Sequence, residues 1–228
     1  MSATLCASSP NTANQLLCLH DANAPARNEL EAFIHARYAS IYQANIQHFL
    51  PFILASWQGP QIQGALGLRP GATGAFFVEN YLDTSIENIV ALQHGEYVPR
   101  EQIIETGNLA GSRGSSQLLF VVLTEVLYKA GFRWITFTAT PMVINLLHRL
   151  GFAPQVVCEA DVTRLGVNAK DWGCYYDSKP SVVIGNVEQA HQTLQRNELA
   201  LKMLEDYRER VDTIVSTLSI TPKGNSDE

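Results

Sequence analysis

The order of residues predicts a mixed α/β fold, with a central sheet, helices on both of its faces and a long C-terminal helix. Three observations carry that prediction. Apolar, β-branched runs alternate with helical patterns through the second half of the chain, which is how strand–helix–strand units read. A glycine-rich turn at Gly111–Ser116 joins an extended segment ending Ile103-Ile104-Glu105 to an apolar helix. Residues 187–218 form one helical pattern without Gly or Pro.

In chain order, residues 1–14 make a loose tail and 15–20 a first strand. Residues 26–48 predict a helix, with Leu30, Phe33, Ile34, Arg37, Tyr38 and Ile41 spaced along one face. Residues 51–57 and 62–68 are two strands joined by Q-G-P-Q, a hairpin signal. Residues 84–92 predict a short helix capped by Asp83 or Thr84. The organising stretch follows. Either Ser115 or Ser116 can cap its helix by accepting a free N–H of the first turn. Residues 118–127 are apolar on almost every face, so that helix should be covered on both sides, and Gly131 ends it. R-W-I-T-F-T at 133–138 is a strong strand, and Pro141 opens a helix running to Leu150. Further strands are expected at 154–159 and 181–184, with a loop at 172–176.

This divides the chain into a tail at 1–14, a domain at 15–186, a helix at 187–218 and a disordered end at 219–228. In the helix Val187, Leu194, Leu201 and Val215 fall at multiples of seven, as do Ala190, Leu204, Val211 and Leu218, with Arg208 and Asn197 interrupting the two series. Such spacing suits a helix laid along its own domain, slightly more than a coiled coil that makes a homodimer.

Composition narrows the function. The 228 residues are 46% hydrophobic, enough for a real core, and carry a formal net charge of −6, which argues against a nucleic-acid partner. Cys6, Cys18, Cys158 and Cys174 show neither C-x-x-C nor zinc-ligand spacing, so buried thiols without a metal are expected. The first residues make a poor secretory signal and no apolar run approaches a membrane span, which points to a cytoplasmic protein.

A glycine turn feeding a helix N-terminus presents backbone N–H groups and the positive end of the helix dipole, suited to an anion such as a phosphate. Its alternative is a plain strand-to-helix connection. Arg113 lies inside this turn and is a donor-binding candidate. Glu105, at the junction of strand and turn, could take a proton from an attacking amine, and Arg69 could pair with it or hold a substrate carboxylate. Thr138 and Thr140 end the next strand and could offer hydroxyls to a cleft. Glu79, with Asp83 and Glu87, is an acidic candidate for an amine site, although acids are common at helix starts. There is no G-x-S-x-G elbow, H-E-x-x-H or G-K-[ST] loop.

Taken together, G-A-L-G-L-R-P at 64–70 and E-T-G-N at 105–108, before a helix ending K-A-G-F, resemble the acyl-homoserine-lactone synthases, which share the GNAT acyltransferase fold. Arg69-Pro70 matches their arginine-proline, and Glu105 opens their E-x-[ST]-R motif. Gly107 and Asn108 stand where that motif has Ser/Thr and Arg, and the upstream aspartate cluster is absent. A closer resemblance, over about residues 33–185, is to the thermostable hemolysin family, related to GNAT proteins. V-E-N-Y-L-D at 78–83, E-T-G-N-L-A at 105–110, T-F-T-A-T at 136–140, W-G-C-Y-Y at 172–176 and K-P-S-V carry it.

The resemblance implies a GNAT-like sheet and N-acyl transfer from a thioester, acyl-CoA or acyl-carrier protein, to the primary amine of a small molecule. The donor would lie along Leu109, Ala110, Gly111, Ser112, Arg113, Gly114, Ser115 and Ser116, although G-S-R-G-S-S fits the pyrophosphate-loop pattern only loosely. Backbone N–H groups at 109–111 would polarise the thioester carbonyl. Glu105 and Arg69 would be the catalytic pair, and Glu79, Asn108, Thr138 and Thr140 the acceptor-binding positions. The rival is a non-enzymatic, membrane-active or interaction protein on the same scaffold.

Overall fold

The structure, a computed structural model, describes residues 15–219. The tails at 1–14 and 220–228, with Cys6, lie outside the described residues. Seven strands form one sheet: β1 (Gln15–His20), β2 (Phe52–Gln58), β3 (Gln61–Pro70), β4 (Ile103–Gly111), β5 (Trp134–Ala139), β6 (Gln155–Glu159) and β7 (Ser181–Asn186), in the order β1-β2-β3-β4-β5-β7-β6. Neighbours are antiparallel except β4 and β5, which run parallel. A parallel pair needs a crossover, and helix α3 (Arg113–Lys129) supplies it.

Side chains alternate across the sheet as the pleat requires. Leu54, Leu66, Ile104 and Val183 face a core built with α3, α4 (Pro141–Arg149), α5 (Val187–Leu194) and α6 (Glu198–Ser219). Their neighbours Ile53, Ala55 and Ala65 face α1 (Arg27–Tyr42), and Ile103, Val182 and Ile184 face α2 (Ile86–His94) and the 3₁₀ segments beside it. Helices therefore cover both faces, and the fold is GNAT-like, as expected. Residues 118–123 of α3 are all buried between the sheet and the C-terminal helices.

Several local expectations change: contacts distant in the chain accompany the first two, and local side-chain caps set the starts of α3 and α6. The first helix ends at Tyr42, not His48: Gln43 turns left-handed (φ 54°) and residues 44–50 leave the axis. Backbone groups of that segment find partners elsewhere. Arg27 donates to the carbonyls of Leu50 (2.8 Å) and Pro51 (3.1 Å), and the Cys174 N–H donates to Tyr42 (2.8 Å). Gly173 allows that last approach, since a Cβ there would lie 2.0 Å from the Tyr42 carbonyl oxygen.

The second change is that β4 continues past Glu105 to Gly111, so Glu105 is its third residue and does not close it. Third, Ser112 caps α3 by accepting the Ser115 N–H, so residues 113–116 are the helix's first turn rather than a loop. The short helix α2 starts two residues later than expected, after Ser85, whose side chain makes no cap bond. Fourth, the C-terminal pattern is two helices, because the Asn197 side chain accepts the Ala200 N–H and starts α6 afresh. Ala200, Leu204, Tyr207, Val211, Ile214 and Leu218 are buried in the same core as α3 and β1. The helix is laid along its own domain, and the stripe that a coiled-coil partner would need is already covered.

Arg100 ties the loop before β4 to the helical segments above it. Its guanidinium donates twice to Glu79 (2.8 Å each) and to Glu87 (3.1 Å), and lies 4.1 Å from the centroid of the Phe76 ring. Burial pushes the Glu79 carboxyl up, but bonds from Arg100 and from the Ile86 and Phe76 N–H groups outweigh it and hold the group below the usual carboxylate range. A depressed carboxylate adds stability above its unfolded pKa and loses it as pH falls through the folded one. Arg100→Met should cost about 1–3 kcal/mol in urea unfolding at pH 7, since it leaves two partly buried carboxylates unpaired. The difference from wild type should shrink below about pH 4, near the model-peptide range for Glu. Equal losses at pH 7 and pH 3 would contradict this.

Candidate active site

The site is built on β4 because this strand changes course. Gly67 of β3 faces Gly107, but Ala65 faces Ala110, so β4 carries one extra residue across this stretch. Asn108 sits in the bulge with φ 51°. On the other edge, β5 pairs with β4 only through Ile103, Ile104 and Glu105. A bulge bends and twists its strand, and beyond Glu105 the two strands part. The β5-facing backbone groups of β4 after that point therefore have no ladder partner.

Between the parted strands lies a cavity of about 230 Å³. Because the gap passes through the sheet, both layers line it, with Tyr38 of α1 on one side and Phe120 of α3 on the other. Gly111 closes β4 against α3. It has φ 150°, and a Cβ there would lie 2.5 Å from Ser115 Oγ and 2.9 Å from the Gln63 carbonyl.

Glu105 lines the cavity and is buried. Its carboxylate accepts the N–H of Phe77 (2.9 Å) and of Val78 (2.8 Å), which pins the start of the 3₁₀ turn Phe77–Tyr81. Burial pushes its carboxyl above the ordinary range, against the pull of those two N–H groups and of Arg69. Arg69 pairs with Glu105 across β3 and β4. Its Nε stands 3.8 Å from the Glu105 Oε2, too long for a hydrogen bond, and has no hydrogen-bond partner; its Nη1 donates to Ala75 at 2.7 Å.

The other candidates divide. Asn108, Thr138, Thr140, Leu109, Ala110, Gly111 and Ser116 line the cavity with Glu105 and Arg69. Asn108 is also a clamp: its Oδ1 accepts the Leu50 N–H (3.0 Å) and its Nδ2 donates to His48 (3.3 Å), so it holds the segment 44–50 over the bulge. Thr140 caps α4 at Val143 (3.4 Å), while the buried Thr138 hydroxyl has no hydrogen-bond partner. Ser112, Arg113, Gly114 and Ser115 lie outside the cavity wall, at the start of α3; Ser112, Arg113 and Gly114 are exposed there, and a Cβ on Gly114 would meet nothing within 4 Å. Glu79 is not brought to the cavity; its oxygens are spent on Arg100, Phe76 and Ile86.

The aromatic wall escapes residue-by-residue reading. Tyr38, Tyr42, Phe77, Tyr81, Trp172, Tyr175 and Tyr176 all line the cavity, with Phe77 and Trp172 centroids 5.5 Å apart and Tyr42 edge-on to Tyr175 at 5.1 Å. The Tyr81 and Tyr176 hydroxyls bond each other. Burial holds both well above the ordinary phenol range, so both are protonated at neutral pH. W-G-C-Y-Y was the available signal, but nothing in its spacing says that it folds back onto α1. Arg37, which the periodicity assigns to an apolar face, lines the Gly111 end and donates to the Gly111 carbonyl at 3.4 Å. Among the described residues no group of three or more His, Cys, Asp or Glu is placed to hold a metal ion, and no helix is long and apolar enough to cross a membrane.

A seven-stranded mixed sheet split beside a bulged central strand places the protein among GNAT-like folds. The chain belongs to the thermostable hemolysin family, whose model, described as "Thermostable hemolysin", matches residues 20–191. No curated protein matches it. Several solved structures share the fold. An N-acyl amino acid synthase from uncultured soil microbes, FeeM, is 11% identical with a TM-score of 0.55, over 80% of this chain and 96% of that one. The CoA-dependent acyl-homoserine lactone synthase BjaI, solved with SAM and isopentyl-CoA, is 11% identical at a TM-score of 0.52, over 92% of each chain. The acyl-homoserine-lactone synthase LasI is 8% identical at 0.51, over 77% of this chain and 91% of that one. At these identities the likeness is one of fold.

Proposed function

We propose that this protein transfers an acyl group from a thioester, acyl-CoA or acyl-carrier protein, to the primary amine of a small molecule. The observation that supports it most is the cavity in the split between β4 and β5, with a buried carboxylate at one end and the start of α3 at the other. Solved proteins with this fold include one that makes N-acyl amino acids and one bound to isopentyl-CoA, which favours the same chemistry.

In this scheme the donor's phosphate lies at the first turn of α3, beside the exposed Arg113 and the first N–H groups of the helix, those of Arg113 and Gly114; the hydroxyls and N–H groups of Ser115 and Ser116 are already bonded to Ser112. Its thioester runs along Leu109–Gly111, where the N–H groups that face away from β3 polarise the carbonyl. The amine attacks from the Glu105 end. A C–N bond forms, the C–S bond breaks with its electron pair on sulfur, and Glu105 takes the ammonium proton. Each Glu105 oxygen accepts one N–H and keeps a second lone pair for this. Arg69 orients the carboxylate, and Asn108 and Thr138 contact the substrates. The low-dielectric, aromatic surroundings strengthen each of these polar contacts.

A mass-spectrometric screen of acyl thioesters against pooled amines tests the function directly; no N-acyl product from any pair would refute it. Donor placement has a separate test. Arg113→Glu is expected to weaken CoA binding about three- to tenfold in calorimetry, by reversing a charge at the helix N-terminus. Unchanged affinity would place the phosphate elsewhere.

A further inference from the structure

The Glu105 end of the cavity pairs a fixed negative group with a fixed positive one, and neither is fully satisfied. Glu105 is buried, and that burial penalises its charged form. An incoming ammonium would relieve the penalty, because an opposite charge at close range favours the ionised carboxylate. Arg69 spends Nη1 on the Ala75 carbonyl and buries Nε beside Glu105 without a hydrogen bond, which leaves the Nη2 end of its guanidinium for a ligand. A charged N–H there binds a carboxylate more strongly than a neutral donor would. The two groups are 3.8 Å apart, about the separation of the charged ends of one small molecule. Phe77, Tyr81, Trp172 and Tyr176 line the cavity with them. Aromatic faces attract an ammonium and stack on an apolar or aromatic side chain.

We infer that the acceptor is a zwitterion, an α-amino acid with a large apolar or aromatic side chain: its ammonium on Glu105, its carboxylate on Arg69 and its side chain among these rings. This rests on the acyl-transfer function above and names its acceptor class. A plain alkylamine would leave Arg69 unpaired, and a plain carboxylic acid would leave Glu105 facing a second anion.

The test titrates the full-length protein by calorimetry with L-phenylalanine, phenethylamine and 3-phenylpropionate, and then supplies octanoyl-CoA. Phenylalanine should bind at least about tenfold more tightly than either half-molecule, as charge-assisted bonds to buried partners imply. Arg69→Met should bring the phenylalanine and phenethylamine constants to within about threefold of each other, and Arg69→Lys should restore part of the gap, since a point charge replaces the guanidinium. Equal binding of phenylalanine and phenethylamine, no heat from any of the three, or an equal loss for both in a well-folded Arg69→Met would overturn the inference. Turnover separates the two claims. Selective binding of phenylalanine with no N-acyl product from any thioester leaves the zwitterion site standing and removes acyl transfer. N-acylation of both amines at equal kcat/KM does the reverse.

Discussion

A chain ending at Asn186 is expected not to fold. Val187, Leu194, Leu204, Tyr207, Val211, Ile214 and Leu218 are all at least nine-tenths buried, in the core that also holds α3. Large apolar side chains contribute about 1.5–3 kcal/mol each when fully buried, and a whole domain is stable by only about 5–15 kcal/mol. Losing seven of them removes roughly 10–20 kcal/mol before allowance for a compact unfolded state, which matches or exceeds most of that margin. The cut would also strip the outer face of α3, where residues 118–123 are buried. Circular dichroism and calorimetry would show the result: no cooperative transition, and strong binding of a hydrophobic dye. A truncated chain that melts cooperatively within a few degrees of the full one would mean that these helices are an accessory layer.

Replacing Glu105 by glutamine should lower both turnover and melting temperature. A strand-end glutamate facing a glycine turn would affect turnover alone. Glu105 instead sits inside β4 and accepts two backbone N–H groups, one on each oxygen. Glutamine has one acceptor oxygen, so its NH₂ must face one of those donors, and a buried N–H loses its partner. That costs about 1–3 kcal/mol, which at this chain length is roughly 2–12 °C in Tm.

Loss of a general base should slow acyl transfer by about 10²–10⁴. The pH dependence separates the two effects. Because burial raises the folded-state pKa of Glu105, the folded protein holds more protons there than the unfolded one between the ordinary carboxylate pKa and the raised value. Stability from this group therefore falls as pH rises through that window. The wild-type advantage over Glu105→Gln should accordingly be larger near pH 5 than at pH 8, whereas the difference in turnover should be largest where Glu105 is ionised. A stability gap independent of pH would remove the buried-carboxylate account. Full turnover in Glu105→Gln would remove its catalytic role.

Much of this is legible in the amino-acid sequence itself. Strand periodicity at β2, β3, β5 and β7, the Gly131 stop and Pro141 start, and the all-apolar α3 are local signals, and local signals set the strands, the helices and the two-faced sheet. Sequence also named Glu105, Arg69, Asn108 and Leu109–Gly111 as candidates, and all of them line the same cavity. Three things were decided only in the tertiary structure. The aromatic wall joins Tyr38 of α1, Phe77 and Trp172 across more than a hundred residues, and no spacing rule spans that distance. Glu79 looked like a site acid, but Arg100, 21 residues on, claims its oxygens. The C-terminal heptads could have served a partner copy or their own domain, because an apolar stripe specifies what it needs buried and not what buries it. The outer face of α3 was nearest, and covering it decided the outcome.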